Sequence, residues 1–398
     1  MKWASAIATT PNLAEGLKAV ADKVRGELGG HAPDLALLFV TGHFSRHFAQ
    51  LPAMLHEHLP CKTLIGCSAG GVIGGGMEAE NTAAISLTAA VLPGVRITPI
   101  HTDTQDLPDQ DDSPERWRAW MGFSGSDDAH FIILADPYSV ALDPFLTGLD
   151  YAFPGSAKVG GLASSGASAG ENALFLGGQY FRRGLVAVAL SGNIEVDTIV
   201  AQGCRPIGKP LTITKCNQNL LAELDHRSPL KYLSELIDGM SEPDRQLMRT
   251  SLFIGLEMDP FNAAPKRGDF LVRNLVGIDY KTGVLAIGAP LHEGQVVQFH
   301  LRDRATSAED LEHLLGAYAA GPTRAAVGGA LLFSCVGRGQ YLYGTPSHDS
   351  RKFLGTVAQV PLGGCFCNGE IGPVGMSTYI HGYTSSFGIF RPSKPADE

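Results

Sequence analysis

The sequence predicts an α/β protein: pseudo-repeated strand–helix–strand units in two tightly packed halves with mixed sheets. Three observations carry this expectation. The stretches Gly66-Cys67-Ser68-Ala69-Gly70-Gly71, Gly161-Leu162-Ala163-Ser164-Ser165-Gly166 and Gly364-Cys365-Phe366-Cys367-Asn368-Gly369 each follow a short apolar run and read as glycine turns. Each is followed by an apolar strand, at 85–91, 185–190 and 386–390. Each is preceded by another strand ending in a turn, at 35–41, 131–135 and 330–336. Self-similarity of this kind marks a repeated supersecondary unit.

In chain order, Thr10-Pro11 opens a helix whose apolar face is Leu13, Leu17, Val20, Ala21, Val24 and Leu28, and Gly29-Gly30 ends it. Residues 35–40 are continuously apolar, as in a strand buried on both faces. A partly helical segment follows at 43–58, with Pro52 interrupting it. The second copy has a strand at 131–135, a helix at 142–153 and a hairpin over 174–190 turning at Arg183-Gly184. The polar stretch 103–128 between these copies reads as surface loop with a short helix at 117–121. Two strands are expected over 194–216, then a domain boundary, giving domains 1–216 and 217–398. Beyond it, Ser228-Pro229 caps a helix, and strands at 252–257, 270–278, 284–287 and 296–301 read as a diverged further copy. A helix over 307–320 has Ser307 and Asp310 at its start and Gly321-Pro322 at its end. The last copy closes with a helix at 349–358, a glycine turn at 363–372 and a strand at 379–390, and the tail 391–398 is expected to fray.

Composition narrows the function. Lys and Arg total 31 against 40 Asp and Glu, for a net charge of −9, and no long basic run occurs. No nucleic-acid partner is therefore expected, because phosphate neutralisation needs a basic patch. No stretch reaches the ~18 apolar residues of a membrane-spanning helix, so membrane insertion is not expected. Seven cysteines without regular spacing read as thiols of a reducing compartment, and no signal peptide is legible, which points to the cytoplasm. Glycine is 48 of 398 residues, so tight turns and close backbone approaches are expected.

Several stretches carry possible chemistry. Gly66-Cys67-Ser68-Ala69-Gly70 matches the G-x-S-x-G elbow of serine hydrolases, with Asp136 and His381 as distant partners, but Val72 to Gly76 is a poor helix former and the last copy has Phe366 where the serine stands. Cys67, Cys365 and Cys367 suit small buried thiols better than nucleophiles or a zinc set. His43 and His47 share a face that reads as solvated, so no metal is expected. Neither Gly71 to Gly76 nor Gly337-Arg338-Gly339 carries a P-loop or dinucleotide fingerprint, so no cofactor is expected. Arg338 between two glycines either clamps a ligand carboxylate or satisfies turn carbonyls. Asn368, Glu370 and His381 are expected to converge with it at the ends of adjacent strands, where open α/β sheets bind small molecules. Arg338 and Glu370 would suit a zwitterion, or would pair with each other.

Cys335-Val336-Gly337-Arg338-Gly339, Gly364 through Pro373, and His381-Gly382-Tyr383-Thr384 resemble the C-terminal FIST module. Leu64 through Gly70 and Gly203-Cys204-Arg205-Pro206-Ile207-Gly208 are similar to its N-terminal counterpart. The resemblance implies a sensory domain that binds small molecules, with amino acids proposed as ligands. It often sits beside signalling domains or an F-box. Residues 1–32 read as one helix of the first repeat, leaving no room for an output domain, so a separate signalling protein is the expected partner. The expected site is Arg338, Asn368, Glu370, His381, Cys365, Cys367, Cys67 and Ser68, with no catalytic residue among them. A serine or thiol hydrolase using Ser68 or Cys67, and an interaction scaffold like the F-box relatives, are the alternatives.

Overall fold

The computed structural model describes residues 1–103, 105–124, 128–262, 265–322 and 326–393. It is a mixed α/β protein with several mixed sheets. The chain forms two compact units: one comprises 1–200, 312–380 and 384–398, the other 201–311 with 381–383. The first unit is discontinuous, so the division differs from the expected cut into 1–216 and 217–398. Segment 201–311 is an insertion within the third copy of the repeat, not a further copy.

In the first unit the repeat is real, and its cause is backbone packing. Strand Leu35–Thr41 runs parallel to Thr63–Ala69, His130–Ala135 to Lys158–Leu162, and Gly329–Cys335 to Leu362–Cys367. The register is the same three times: Leu38 faces Gly66, Ile133 faces Gly160 and Leu332 faces Gly364. A Cβ at Gly66, Gly160 or Gly364 would lie 2.0, 1.8 or 1.9 Å from the facing carbonyl oxygen. Each recurrent glycine thus sits inside a strand where the neighbouring backbone comes too close for any side chain. The stretches expected as turns are largely strand, which corrects the reading of 66–71 and 363–372.

Each copy also contributes a hairpin, and the three hairpins are exchanged cyclically. Gly71–Gly74 with Met77–Glu80 joins the sheet of the third copy, where Ile73 faces Gly364. Leu174–Leu176 with Gln179–Phe181 joins that of the first, where Phe175 faces Gly66. Glu370–Val374 with Ser377–His381 joins that of the second, where Ile371 faces Gly160. Three six-stranded sheets result. The second hairpin turns at Gly177-Gly178, not at Arg183-Gly184.

Both faces of each sheet are buried, which accounts for the continuous apolar runs. Leu37, Phe39, Ile132, Leu134, Leu331 and Phe333 meet in one inner core. The alternate residues Ala36, Leu38 and Val40 face Leu17, Val20 and Leu55 of the helices Leu13–Glu27 and Leu51–His58. Phe131, Ile133 and Ala187 face Trp117, Phe145 and Leu149 in the same way. Pro52 stands in the first turn of its helix, where its missing N–H costs nothing, so it opens that helix and does not interrupt it. Residues 2–9 form a strand, Lys2–Thr9, paired antiparallel with Ala84–Val91, and the first helix is capped by Asn12, whose side chain accepts from Glu15 N.

The second unit is a closed barrel of six strands, from Arg205–Asn217 to Val296–Leu301, with helices Pro229–Asp238 and Glu242–Ser251. Ile213, Leu221, Ile254, Leu285, Ile287 and Phe299 fill it. Helix Arg304–Ala319 begins before Ser307: Asp303 Oδ1 accepts from Thr306 N at 2.7 Å, and Ser307 turns its hydroxyl to Gly203 O. Among the described residues no helix is long and apolar enough to cross a membrane. Positions 394–398 of the tail lie outside the described residues.

Candidate functional site

In the first unit, the carboxyl ends of strands Thr63–Ala69, Lys158–Leu162, Gly329–Cys335 and Leu362–Cys367 come together. Ser164 Oγ donates to Phe366 O at 2.6 Å and accepts from Gly70 N at 2.8 Å, so one hydroxyl ties three strand ends. Asn368 N donates to Leu162 O and Val336 N to Cys367 O. Above these bonds lies a cavity of about 350 Å³ lined by Gly70, Glu80, Asn81, Ser164, Tyr341 and Asn368. Carboxyl ends of parallel strands are where α/β folds place ligands, since loops there diverge.

One wall rests on a buried charge cluster. Arg338 is fully buried, and its Nε donates to Asp349 Oδ2 at 2.8 Å while Nη2 bonds the Tyr343 hydroxyl. Asp349 also accepts from Ser385 Oγ, at 2.5 Å, and its Oδ1 lies 2.9 Å from His348 Nδ1. Burial alone would raise the Asp349 carboxyl, but the Arg338 charge and these hydrogen bonds outweigh it and hold the group well below the usual carboxylate range. Arg338 is held more firmly protonated than usual, because Asp349 outweighs the cost of burying its charge. Glu78 Oε1 accepts from Ser350 N and Oγ, both at 2.8 Å. Burial first, then the neighbouring Asp349 charge, push the Glu78 carboxyl up to about 7. Glu80 is raised as well, chiefly by burial, and its Oε1 accepts from Gln340 N at 2.9 Å. Gly339 has φ +61° and lies so close to the Glu80 carboxylate that a Cβ would come within 2.4 Å of it.

The structure brings only part of the expected set to this cavity. Asn368 is exposed and lines it. Arg338 does not line it: a fully buried guanidinium already engaged by Asp349 and Tyr343 is not an open clamp for a ligand. Glu370 is also fully buried, with Oε2 accepting from Thr384 N at 3.1 Å. It faces Gly161 in the register where the other copies place Val72 and Leu174. A carboxylate there is peculiar to the third copy, because the repeat itself calls for an apolar side chain. His381 is buried, groups with 201–311 and does not line this cavity.

Cys67, Cys365 and Cys367 form a buried thiol cluster in the inner core, with Cys365 Sγ 3.6 Å from Cys367 Sγ. Burial and mutual proximity push the Cys365 thiol well above its ordinary value, and burial raises Cys367. Such thiols are poor nucleophiles. No group of His, Cys, Asp and Glu suited to a metal occurs among the described residues. Ser68 lies inside a strand and is fully buried; its Oγ accepts from Ser165 Oγ at 2.6 Å and Ala173 N at 2.8 Å. Asp136 bonds Asn172 and Ser139, not an imidazole. A hydrolase elbow needs an exposed serine at a strand-to-helix turn beside a histidine base, and this serine has neither setting.

Glu78, Glu80, Asn81, Asp349 and Tyr341 were not singled out from the sequence. Glu78 and Glu80 did carry a signal: two acids two apart in a short alternating strand point to one face.

Two family models together cover most of the chain. The FIST N domain matches residues 34–227 and the FIST C domain 229–373. The chain is 34% identical over 390 residues to an uncharacterized protein of Mycobacterium tuberculosis, covering 98% of this chain and all of that one. It is 33% identical to an uncharacterized protein of Mycobacterium bovis over 98% of this chain and 99% of that one. An F-box/LRR-repeat protein of Arabidopsis thaliana is 24% identical over 62% of this chain and 55% of its own length.

Proposed function

This chain belongs to the FIST family, whose domains are associated with sensory signal transduction, and we propose that it is a small-molecule sensor whose ligand occupies the cavity beside Asn368. One observation carries the reading: Glu80, Asn81, Ser164 and Asn368 converge on a cavity at joined strand ends. A carboxylate of raised affinity for protons, set beside two amides and a hydroxyl, favours a ligand with an ammonium group and a hydrogen-bonding acid end, such as an amino acid. Arg338 acts from behind: paired with Asp349, it fixes the 338–349 segment that carries Tyr341 and the Gln340 N–H on Glu80. Occupation of the cavity shifts the balance between arrangements of the 337–347 segment, and a separate signalling protein reads the change.

The test is native mass spectrometry of fresh protein, followed by thermal shifts with an amino-acid panel. A ligand at 100 times its Kd stabilises by about 2.7 kcal/mol. The shift should vanish in Asn368→Ala and Glu80→Gln. A saturable shift that survives both changes would place the ligand elsewhere.

A further inference from the structure

The repeat that builds the cavity at Asn368 builds a second one. Gly71 pairs with Glu80 in the first hairpin, one step beyond Val72 with Ala79. In the second hairpin Leu174 pairs with Phe181, and Val72 and Leu174 hold the same position in the repeat, opposite Cys365 and Cys67. Arg182, one residue beyond Phe181, therefore occupies in the second copy the place of Glu80 in the first. Gly42, following strand Leu35–Thr41, likewise corresponds to Val336, following Gly329–Cys335. Glu80 and Val336 line the first cavity, while Arg182 and Gly42 line another of about 480 Å³. The same architectural niche thus recurs with its key charge reversed.

We propose that this second cavity, lined by Gly42, Ser45, Ser165, Gly170, Tyr180 and Arg182, is a binding site for the carboxylate group of a small organic acid. Arg182 spends Nε and Nη2 on the Gly170 carbonyl, which fixes the guanidinium while Nη1 retains its donors. It pairs with no carboxylate among the described residues. Hydroxyls from Ser45 and Tyr180 supply further donors, and Phe48 adds an apolar patch.

The wall is preorganised. Gly166 N donates to Asn172 Oδ1 at 2.8 Å, and Ala167 N and Ser168 N donate to Glu171 Oε2. Ser165 is braced from below by Ser68 and Asn172, and Asn172 by the fully buried Asp136. A loop already ordered loses little freedom on binding. Glu171 also lines the cavity, so its charge sets a limit. Arg182 attracts and Glu171 repels an anion in proportion to its charge, whereas the cost of stripping its water grows with the square of that charge, so a cavity holding one cation and one anion takes a monocarboxylate at less cost than a phosphate dianion. The chemistry therefore favours a carboxylate over phosphate.

Isothermal titration of the full chain with acetate, benzoate, succinate and inorganic phosphate at matched ionic strength tests this. At least one carboxylate should bind one site per chain and outcompete phosphate. Arg182→Gln should weaken it at least about tenfold, the scale of a lost charge-assisted hydrogen bond. Ser45→Trp, which fills the cavity from an exposed position and leaves the Arg182–Gly170 bonds in place, should abolish it. Glu80→Gln and Asn368→Ala should leave it unchanged, so this site and the one at Asn368 stand or fall separately. Absence of carboxylate binding, tighter phosphate binding, or affinity retained in Ser45→Trp would overturn the assignment.

Discussion

Arg338 and Asp349 are joined Nε to Oδ2 at 2.8 Å, and neither side chain is more than 1% exposed. Two opposite charges out of water form a pair that is costly to break from one side, since the survivor keeps its desolvation cost and loses its partner. Arg338→Leu or Asp349→Leu alone should each destabilise the first unit by about 3–5 kcal/mol in urea titrations. The double change should cost clearly less than either single one. Equal or additive losses would show that the pair does not act as a unit.

The same cluster sets a pH dependence. In the folded chain Glu78 holds its proton up to about pH 7, whereas the unfolded carboxyl releases it near 4.5. Between these values the folded state carries more protons, so stability falls as pH rises through that window. The charged and titratable neighbours are Asp349, Glu80, Arg338 and His348. Glu78→Gln should flatten the decline. Trp3, Trp117 and Trp120 all lie in the first unit, so tryptophan fluorescence reads this unit alone. An unaltered slope in the variant would remove Glu78 as its source.

The barrel should respond to pH in the opposite sense. His300 is buried against Phe270, with Nδ1 3.0 Å from Gln298 O. Burial first, with the nearby Arg267 charge adding to it, lowers its imidazole to about 4 against the usual 6.5. The unfolded state then holds more protons between pH 4 and 6.5, so acid destabilises the barrel across that window. Hydrogen exchange in strands Leu252–Glu257 and Val296–Leu301 should quicken as pH drops from 6.5 to 4, after correction for intrinsic rates. His300→Phe should suppress the effect.

What the sequence could reveal followed the range of the forces involved. The helix at Leu13, the strand at Leu35 and the recurrence of the strand–helix–strand unit were legible because apolar patterning is local. Strand Lys2–Thr9 was missed because, Trp3 apart, its buried residues Ala4, Ser5 and Ala6 are small and carry little strand propensity. The exchange of hairpins was hidden because Ile73 meets Gly364 across most of the chain, and nothing near either residue encodes the partner. The barrel resembled another copy because short apolar strands following a helix are common to both. At the site, Asn368 was found from its strand end. Arg338 was misjudged because its partner, Asp349, was not weighed against a ligand.

The recurrent glycines give a sharper test of the repeat. A Cβ at Gly160 would lie 1.8 Å from Ile133 O, and one at Gly364 would lie 1.9 Å from Leu332 O. Both contacts are backbone, which cannot rotate away. Gly160→Ala and Gly364→Ala should each destabilise at or above the upper end of the roughly 1–3 kcal/mol typical of overpacking. Gly355→Ala, with open space around its Cβ, serves as the control and should change little. Comparable midpoints for all three in thermal unfolding would contradict the close-approach account.

Thiol labelling tests the alternative reading as a hydrolase. Cys67, Cys365 and Cys367 are buried together, so the native chain should not react at them with iodoacetamide. Cys61 and Cys216 are half-buried and should label slowly, since burial pushes the Cys61 thiol up to about 11 and leaves little thiolate at neutral pH. Full labelling of the inner three should appear only with unfolding, at the urea concentration where tryptophan fluorescence changes. Rapid, selective labelling of Cys67 at neutral pH would mean that the thiol is both reachable and ionised, and the case for a nucleophile in this core would reopen.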